Sequence, residues 1–222
     1  ELNAVFFKPD GLKMYIVGIT GDDVNEFNLS TAWDISTAVF LQTESVSGQD
    51  SEPRGLFFKS DGTKMYIVGD ASNQLFEYNL STAWDISTAS YNGNTNLNSY
   101  ESNPTGVFFK PDGLKMYIVG KSGDDVNEFT LGTAWVITSN VTYVRKFSLT
   151  DSAPAAVFFK TDGTKMYIVG DGSNKVREYN LTTAWDVSTA SVGSEFSISG
   201  QDAFYLIDEL KIDKIHLVGF SL

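Results

Sequence analysis

Short apolar runs recur along the chain at a fixed spacing. Residues 5–18 place two such runs on either side of Pro9-Asp10-Gly11, and the stretch returns with small changes at 56–69, 107–120 and 157–170. Asp-Gly between two apolar runs is a strong hairpin signal, because glycine takes a positive φ at low cost. The pattern therefore predicts a repeat of about 50 residues that is built on a tight hairpin.

Each repeat contains four segments with the apolar pattern of a β-strand. In the first repeat the predicted strands are 5–8, 13–17, 24–29 and 38–46. The first two are almost continuously apolar, as strands packed on both faces require, whereas the third alternates apolar and polar residues. No window keeps a helical period, so the fold class is all-β.

Four antiparallel strands in a period of about 50 residues are typical of a β-propeller blade. The sequence predicts one domain, 1–222, with four full blades and a partial fifth blade. The predicted blades are about 3–47, 54–98, 105–149 and 155–199, and the partial blade is 203–222. A five-bladed ring is the favoured closure, a four-bladed ring is the alternative, and pairing of the half-blade with another chain is the third.

The blades alternate in sequence. Blades 1 and 3 share Lys-Pro-Asp-Gly-Leu and Gly-Asp-Asp-Val-Asn-Glu-Phe, whereas blades 2 and 4 share Asp-Gly-Thr and Gly-Asp-x-Ser-Asn. This alternation indicates that a unit of two blades was duplicated.

The repeat also resembles known sequence families. Phe-Phe-Lys-Pro-Asp-Gly-x-Lys-Met-Tyr-Ile-Val-Gly resembles the Pro-Asp-Gly-x-x-x-Tyr-Val unit of YVTN/NHL-like propeller repeats. Tyr-Asn-Leu-Ser-Thr-Ala-Trp-Asp-Ile-Ser-Thr is similar to a repeat in marine bacterial and phage proteins of unknown function. The resemblance implies a propeller and no particular reaction, because propellers carry many unrelated functions.

Composition narrows the partners and the compartment. The 222 residues carry a net charge of −12 and no cysteine. The negative charge opposes nucleic-acid binding, and no apolar run is long enough for membrane insertion. Disulfides and thiolate metal sites are excluded. We expect an extracellular, cell-surface or virion location in a bacterium or phage, with the natural N-terminus missing before Glu1.

Acidic residues concentrate in the loops that enter the first strand and leave the second strand of each blade, here called the upper face. Such carboxylates could hold calcium or another divalent cation, or could simply build tight turns. Calcium is the candidate cofactor, and none is certain. The candidate ligand- or metal-binding residues are Asp22, Asp23, Asp70, Asp124, Asp125 and Asp171.

One tryptophan occurs at the same place in every repeat: Trp33, Trp84, Trp135 and Trp185. Exposed tryptophans could stack on sugar rings, whereas buried ones would anchor neighbouring blades. Recurrence in every blade favours structural anchors.

Catalytic residues are hard to find in the repeat. His216 is the only histidine, so a multi-histidine metal site and a histidine-based triad are both excluded. The paired carboxylates recur from blade to blade, whereas a catalytic site needs unlike groups in unlike roles. The sequence therefore predicts a non-enzymatic module that binds a glycan, a polymer or a protein. A structural module that forms a homo-oligomer through the partial blade is the alternative, and a metal-dependent hydrolase or lactonase is the least favoured.

Overall fold

The computed structural model describes residues 2–150, 152–170 and 172–197, which form four antiparallel sheets of four strands each. Blade 1 contains β1 (Leu2–Phe7), β2 (Lys13–Gly18), β3 (Asp23–Leu29) and β4 (Ala38–Ser45). Blade 2 contains β5 (Pro53–Phe58), β6 (Lys64–Gly69), β7 (Gln74–Leu80) and β8 (Ala89–Asn96). Blade 3 contains β9 (Pro104–Phe109), β10 (Lys115–Gly120), β11 (Asp125–Leu131) and β12 (Val141–Ser148). Blade 4 contains β13 (Pro154–Phe159), β14 (Lys165–Gly170), β15 (Lys175–Leu181) and β16 (Ala190–Ser197).

The blades pack side by side as in a propeller. Strands in each sheet follow chain order, and the first strands β1, β5, β9 and β13 adjoin one another at the inner edge. The all-β propeller is confirmed, with four blades. Packing joins blade 1 to 2, 2 to 3 and 3 to 4, and no comparable packing joins blade 4 to blade 1 within the described residues. The partial fifth blade, 203–222, lies outside them, so the five-bladed ring stays a prediction.

The predicted hairpin has the expected backbone. Gly62 adopts φ +73°, and the Asp61 carboxylate accepts the amide of Thr63 at 3.0 Å. A Cβ atom at Gly62 would lie 2.4 Å from the indole of Trp84. Glycine is therefore required here both by the backbone and by the ring above it.

Each tryptophan belongs to an eight-residue segment, here called the Trp segment, at 30–37, 81–88, 132–139 and 182–189. In blade 2, Trp84 donates its amide to the Gly62 carbonyl at 3.0 Å, and Asp85 accepts the Ser87 amide at 3.1 Å. Three Trp segments contain a three-residue 3-10 turn, at Ile35–Thr37, Ile86–Thr88 and Val187–Thr189. None of these helical turns in the described residues is long enough to cross a membrane.

The tryptophan rings lie where two blades meet. Trp84 packs on Phe58 of its own blade at 5.5 Å and on Phe6 of blade 1 at 6.3 Å between ring centroids. Trp84, Trp135 and Trp185 are each 8% exposed, whereas Trp33 in blade 1 is half-buried. This placement suits the anchoring role.

Polar contacts also join each blade to the next, in an arrangement here called the latch. Between blades 2 and 3, the Tyr66 hydroxyl donates to the Trp135 carbonyl at 2.6 Å. Buried Glu77 accepts the Ile137 amide at 2.9 Å and pairs with Lys64 of its own blade. The Lys-Tyr-Glu half therefore belongs to one blade, and the Trp segment of the next blade supplies the other half.

The same latch occurs at the other two junctions. Tyr15 donates to the Trp84 carbonyl at 2.7 Å between blades 1 and 2, and Tyr117 donates to the Trp185 carbonyl at 2.8 Å between blades 3 and 4. Glu26 and Glu128 occupy the place of Glu77. Because the contacts are the same at all three junctions, the repeat itself encodes blade packing.

Candidate functional site

A β-bulge interrupts the first strand of every blade near its upper end. In blade 2, Pro53 pairs with Gly69 and Gly55 pairs with Val68, so that Arg54 is the extra residue of the bulge. The equivalent residues are Asn3, Thr105 and Ala155. Bulges redirect a side chain out of the regular ladder and are frequent next to active sites. The hairpin and the Trp segment are nearly constant, but this position differs in every blade.

Two of the bulge side chains reach the adjacent blade. The Asn3 amide donates to the Pro53 carbonyl at 3.0 Å, and the Thr105 hydroxyl donates to the Pro154 carbonyl at 2.7 Å. The bulges therefore lie at the inner edge, where the first strands of successive blades adjoin.

Arg54 lies in a cluster of unlike polar groups between blades 2 and 3. Its Nη2 atom is 3.2 Å from the Glu52 carboxylate, and its Nε atom is 3.4 Å from Oδ2 of Asp70. The Asn103 amide of blade 3 donates to the same Asp70 oxygen at 3.0 Å. The side chains of Asp70 and Arg54 are 9% and 21% exposed, whereas that of Glu52 is 47% exposed. The cluster thus reaches from a shielded carboxylate to solvent.

The protonation of Asp70 is perturbed. Burial raises its pKa, the positive charge of Arg54 opposes that effect, and the negative charge of Glu52 adds to it, with a raised pKa as the result. Carboxyl groups whose pKa is shifted by burial together with a charged neighbour are frequent at catalytic sites. Asp70 is therefore the candidate general base of this chain.

The corresponding positions of blade 3 carry different residues. Exposed Lys121 follows β10 at the place where Asp70 follows β6, and Asn103 stands where blade 2 has Glu52. The junction of blades 2 and 3 consequently combines two carboxylates, an amide and a guanidinium at one end of the inner strands. This junction therefore has the asymmetry that catalysis needs.

Two buried carboxylates hold the loops around the cluster. Asp50 is 4% exposed and accepts the amides of Glu52 and Ser72 at 2.8 and 2.9 Å. Glu101 occupies the same place in blade 3, where it is 2% exposed and accepts the backbone amide of Asn103 at 2.8 Å. These hydrogen bonds fix the backbone that carries Glu52 and Asn103.

The other predicted ligand residues lie apart from the cluster. The Asp22 carbonyl accepts the Val46 amide at 2.8 Å, and the Asp23 carboxylate accepts the Asn25 side chain at 2.7 Å. Both contacts stay within blade 1, and they are of the kind that turn residues make.

In blade 3 the Asp124 carboxylate accepts the Ala153 amide at 2.7 Å, and buried Asp125 pairs with Lys146 at 2.8 Å. Asp171 lies outside the described residues. Within the described part of the chain, no three histidine, aspartate or glutamate side chains converge into a set that could hold a metal ion. Calcium binding at these residues stays a prediction.

The acidic loops of the sequence placed Asp70 among the candidates, but nothing in them pointed to Arg54 or Asn103. The usable signal was variation within the repeat. One position of the first strand reads Asn3, Arg54, Thr105 and Ala155, whereas the position before it is leucine or proline and the position after it is alanine or glycine. Its meaning depends on the bulge, because only the bulge turns this position away from the strand ladder.

Comparison with known proteins supports the fold. No protein-family model matches the chain, and no curated protein matches its sequence. Solved structures do match. One is assigned as a 6-phosphogluconolactonase from Bacteroides fragilis, with 16% identity and a TM-score of 0.57 over 90% of this chain and 55% of that one. A second structure assigned as a 6-phosphogluconolactonase, from Bacteroides uniformis, has 15% identity and a TM-score of 0.60 over 90% of this chain and 55% of that one.

A third match is the periplasmic gluconolactonase PpgL of Pseudomonas aeruginosa, with 16% identity and a TM-score of 0.56 over 89% of this chain and 53% of that one. This chain thus spans about half the length of the structures it matches. At these identities the likeness shows the fold alone.

These matches correct the functional prediction from sequence. The prediction of a non-enzymatic binding module is contradicted, because three of the solved structures that share the fold are assigned as lactonases. The premise of that prediction was that polar groups recur in every blade, and it fails at the bulge of the first strand. The resemblance to marine bacterial and phage repeats finds no support in the comparisons. The chain is a β-propeller, and its structural neighbours include propellers assigned as 6-phosphogluconolactonases.

Proposed function

We propose that this chain is part of a lactone-hydrolysing propeller and that hydrolysis takes place at the Asp70–Arg54 cluster. The observation that carries the proposal is a shielded carboxylate with a raised pKa, 3.4 Å from a guanidinium nitrogen, at the one blade junction described here that combines these groups. The Tyr-Ile-Val repeats support placing the chain with YVTN/NHL-like propellers.

Asp70 supplies the base. Its carboxylate takes a proton from a water molecule while the water oxygen bonds to the lactone carbonyl carbon and the carbonyl oxygen becomes an oxyanion. When the tetrahedral intermediate collapses, the ring C–O bond breaks and Asp70 returns the proton to the leaving alkoxide. One lactone and one water give one hydroxy acid, and Asp70 ends unprotonated. A raised pKa suits this exchange, because base and acid steps both need a pKa closer to neutrality.

The surrounding residues bind and orient. Arg54 presents positive charge beside Asp70, where it can stabilise the oxyanion or an anionic substituent of the substrate. Asn103 holds Oδ2 of Asp70 through its side-chain amide. The substrate class we propose is the sugar-acid lactone, including phosphorylated forms.

The test is whether the purified chain opens the rings of glucono-δ-lactone and 6-phosphogluconolactone. The rate is measured by titrating the released protons at constant pH. We expect Asp70→Asn to lower kcat/KM by about 10²-fold or more, the usual contribution of a general base. Asp61→Asn is the matched control, because it makes the same change in blade 2 at the opposite end of the hairpin. Hydrolysis no faster than in buffer, or equal activity of Asp70→Asn and the unchanged protein, would overturn the proposal.

A further inference from the structure

The two end blades leave apolar side chains uncovered that their internal equivalents bury. In blade 1, Ile35 of the Trp segment is 66% exposed, whereas Ile86 and Ile137 at the same position are 0% and 1% exposed. Met14 and Ile16 in β2 are half-buried, although Met116 and Ile118 of blade 3 are fully buried. Blades 2 and 3 each bury this face against the blade that precedes them, and blade 1 leaves it exposed.

Blade 4 presents the opposite face. Tyr167 and Val169 in β14 are half-buried, whereas their equivalents Tyr66 and Val68 in blade 2 are 0% exposed. The equivalent tyrosines of blades 1 to 3 are buried and donate their hydroxyls to the next blade. This is the face that each internal blade packs against the blade that follows it.

These two faces are the two halves of the latch. Blade 4 carries Lys165, Tyr167 and Glu178 in the places of Lys64, Tyr66 and Glu77. Blade 1 carries the Trp segment, with the sequence Ser-Thr-Ala-Trp-Asp-Ile-Ser-Thr at 30–37. The three internal junctions show that these sequences fit each other.

We propose that blade 4 of one copy of this chain binds blade 1 of a second copy through the latch. The blade 4 face carries the half of the latch that fits a Trp segment, and the 222 residues contain four tryptophans. Three of them serve the internal junctions, and residues 198–222 contain none. The remaining Trp segment is that of blade 1, which does not pack on blade 4 of its own chain in the described structure.

The alternation of the blades supports this pairing. Blade 4 is of the same type as blade 2 and blade 1 is of the same type as blade 3, so the proposed junction reproduces the one between blades 2 and 3. Two such junctions related by a twofold axis close a ring of eight blades, within the range that propellers adopt. The four-blade arc also matches about half of larger propellers, 55% of the chain in two cases.

The test is sedimentation velocity of the full 222-residue chain over a range of concentrations. We expect a dimer. Ile35→Lys places a charge on the blade 1 face and Val169→Lys places one on the blade 4 face, so each variant alone should be monomeric, with a dissociation constant raised at least tenfold. An equimolar mixture of the two should recover dimers, because one junction then joins two unaltered faces. Glu178→Gln is a milder blade 4 variant that should also weaken association.

Leu114→Lys is the matched control, since Leu114 is exposed on the lower hairpin of blade 3 and should leave the dimer intact. Circular dichroism establishes that each variant is folded. A monomer at every concentration, a mass above that of two chains, or a dimer formed equally well by either variant alone would overturn the proposal. The inference is independent of the lactonase proposal, because it involves neither Asp70 nor Arg54.

Discussion

Asp70 and Arg54 show how single residues can differentiate a blade from its neighbours. The backbone around them is the same in every blade, including the bulge. A substitution at the bulge therefore changes the chemistry of the inner edge with no need to alter the fold. The pKa of Asp70 reports this local chemistry, because burial, Arg54 and Glu52 all act on it.

The first prediction concerns the pH dependence of lactone hydrolysis. The positive charge of Arg54 lowers the pKa of Asp70, so Arg54→Gln should raise that pKa further. Because the reaction uses the carboxylate, the acid limb of kcat/KM should move to higher pH. Lys59→Gln, on the lower hairpin of the same blade, should leave the limb in place. If the acid limb of kcat/KM lies at the same pH in Arg54→Gln as in the unchanged protein, Asp70 is not the base.

The second prediction concerns acid stability. Burial favours a higher pKa for Asp61, but the ammonium of Lys59 and the hydroxyl and amide of Thr63 prevail and lower it to about 2. The unfolded value is about 3.9, so the carboxylate stabilises the fold above about pH 4 and this contribution disappears as the pH falls towards 2. The Tm difference between the unchanged protein and Asp61→Asn should shrink over this interval. Glu44→Gln should show the opposite sign. Burial raises the pKa of Glu44, so its carboxylate destabilises the fold, and the Tm of the variant relative to the unchanged protein should increase as the pH rises. A pH-independent difference would contradict the linkage.

At the scale of the element, the hairpin and the Trp segment form one unit. The indole lies over the hairpin glycine in each blade, and the tryptophan amide donates to the carbonyl of that glycine. The tryptophan itself adopts a positive φ, +66° at Trp84, which is rare for a bulky residue and persists because the surrounding contacts hold it. The hairpin and the Trp segment therefore vary little between blades for the same reason, which is that they pack on each other.

The third prediction tests that unit. Gly62→Ala places a methyl group in a left-handed conformation and 2.4 Å from the Trp84 ring. Strain and overpacking should together destabilise the fold by about 2–4 kcal/mol, measured by urea unfolding. Gly48→Ala is the control, because nothing lies within 4 Å of the added methyl group there. Equal stability of the two variants would show that the ring moves away without cost.

At the scale of the whole molecule, the position of a blade in the arc decides what its residues contribute. Strands β6 and β10 of the middle blades are buried on both faces, whereas β14 alternates between buried and half-buried residues. The Glu77 side chain is 0% exposed and that of Glu178 is 22% exposed, although both pair with the equivalent lysine. The same lysine–glutamate pair is therefore shielded from solvent in blade 2 and partly exposed in blade 4.

The fourth prediction follows from that inequality. Glu77→Gln removes a buried charge that pairs with Lys64 and accepts an amide of blade 3, and it should cost about 3 kcal/mol. Glu178→Gln should cost about 1 kcal/mol or less. Both are measured by urea unfolding in the Ile35→Lys background, where dimerisation does not contribute. Similar costs for the two variants would mean that blade 4 is covered as fully as blade 2.

Several expectations from sequence are not addressed by the fold. The glycan or protein partner, the lack of nucleic-acid binding, and the extracellular, cell-surface or virion location stay predictions. Assembly through residues 203–222 also stays a prediction, and it differs from the junction of blades 4 and 1 proposed above.

The sequence by itself determined the strands, the hairpins and the propeller. Turn chemistry at Asp61-Gly62 and the apolar pattern act over a few neighbouring residues, and a repeat applies them four times. Tertiary structure decided which polar groups meet. Arg54, Asp70 and Asn103 come from two blades and converge only because a bulge and two loops reach the same end of the inner strands. Burial was likewise decided in three dimensions, since Tyr66 and Tyr167 have the same local sequence and differ only in whether another blade covers them.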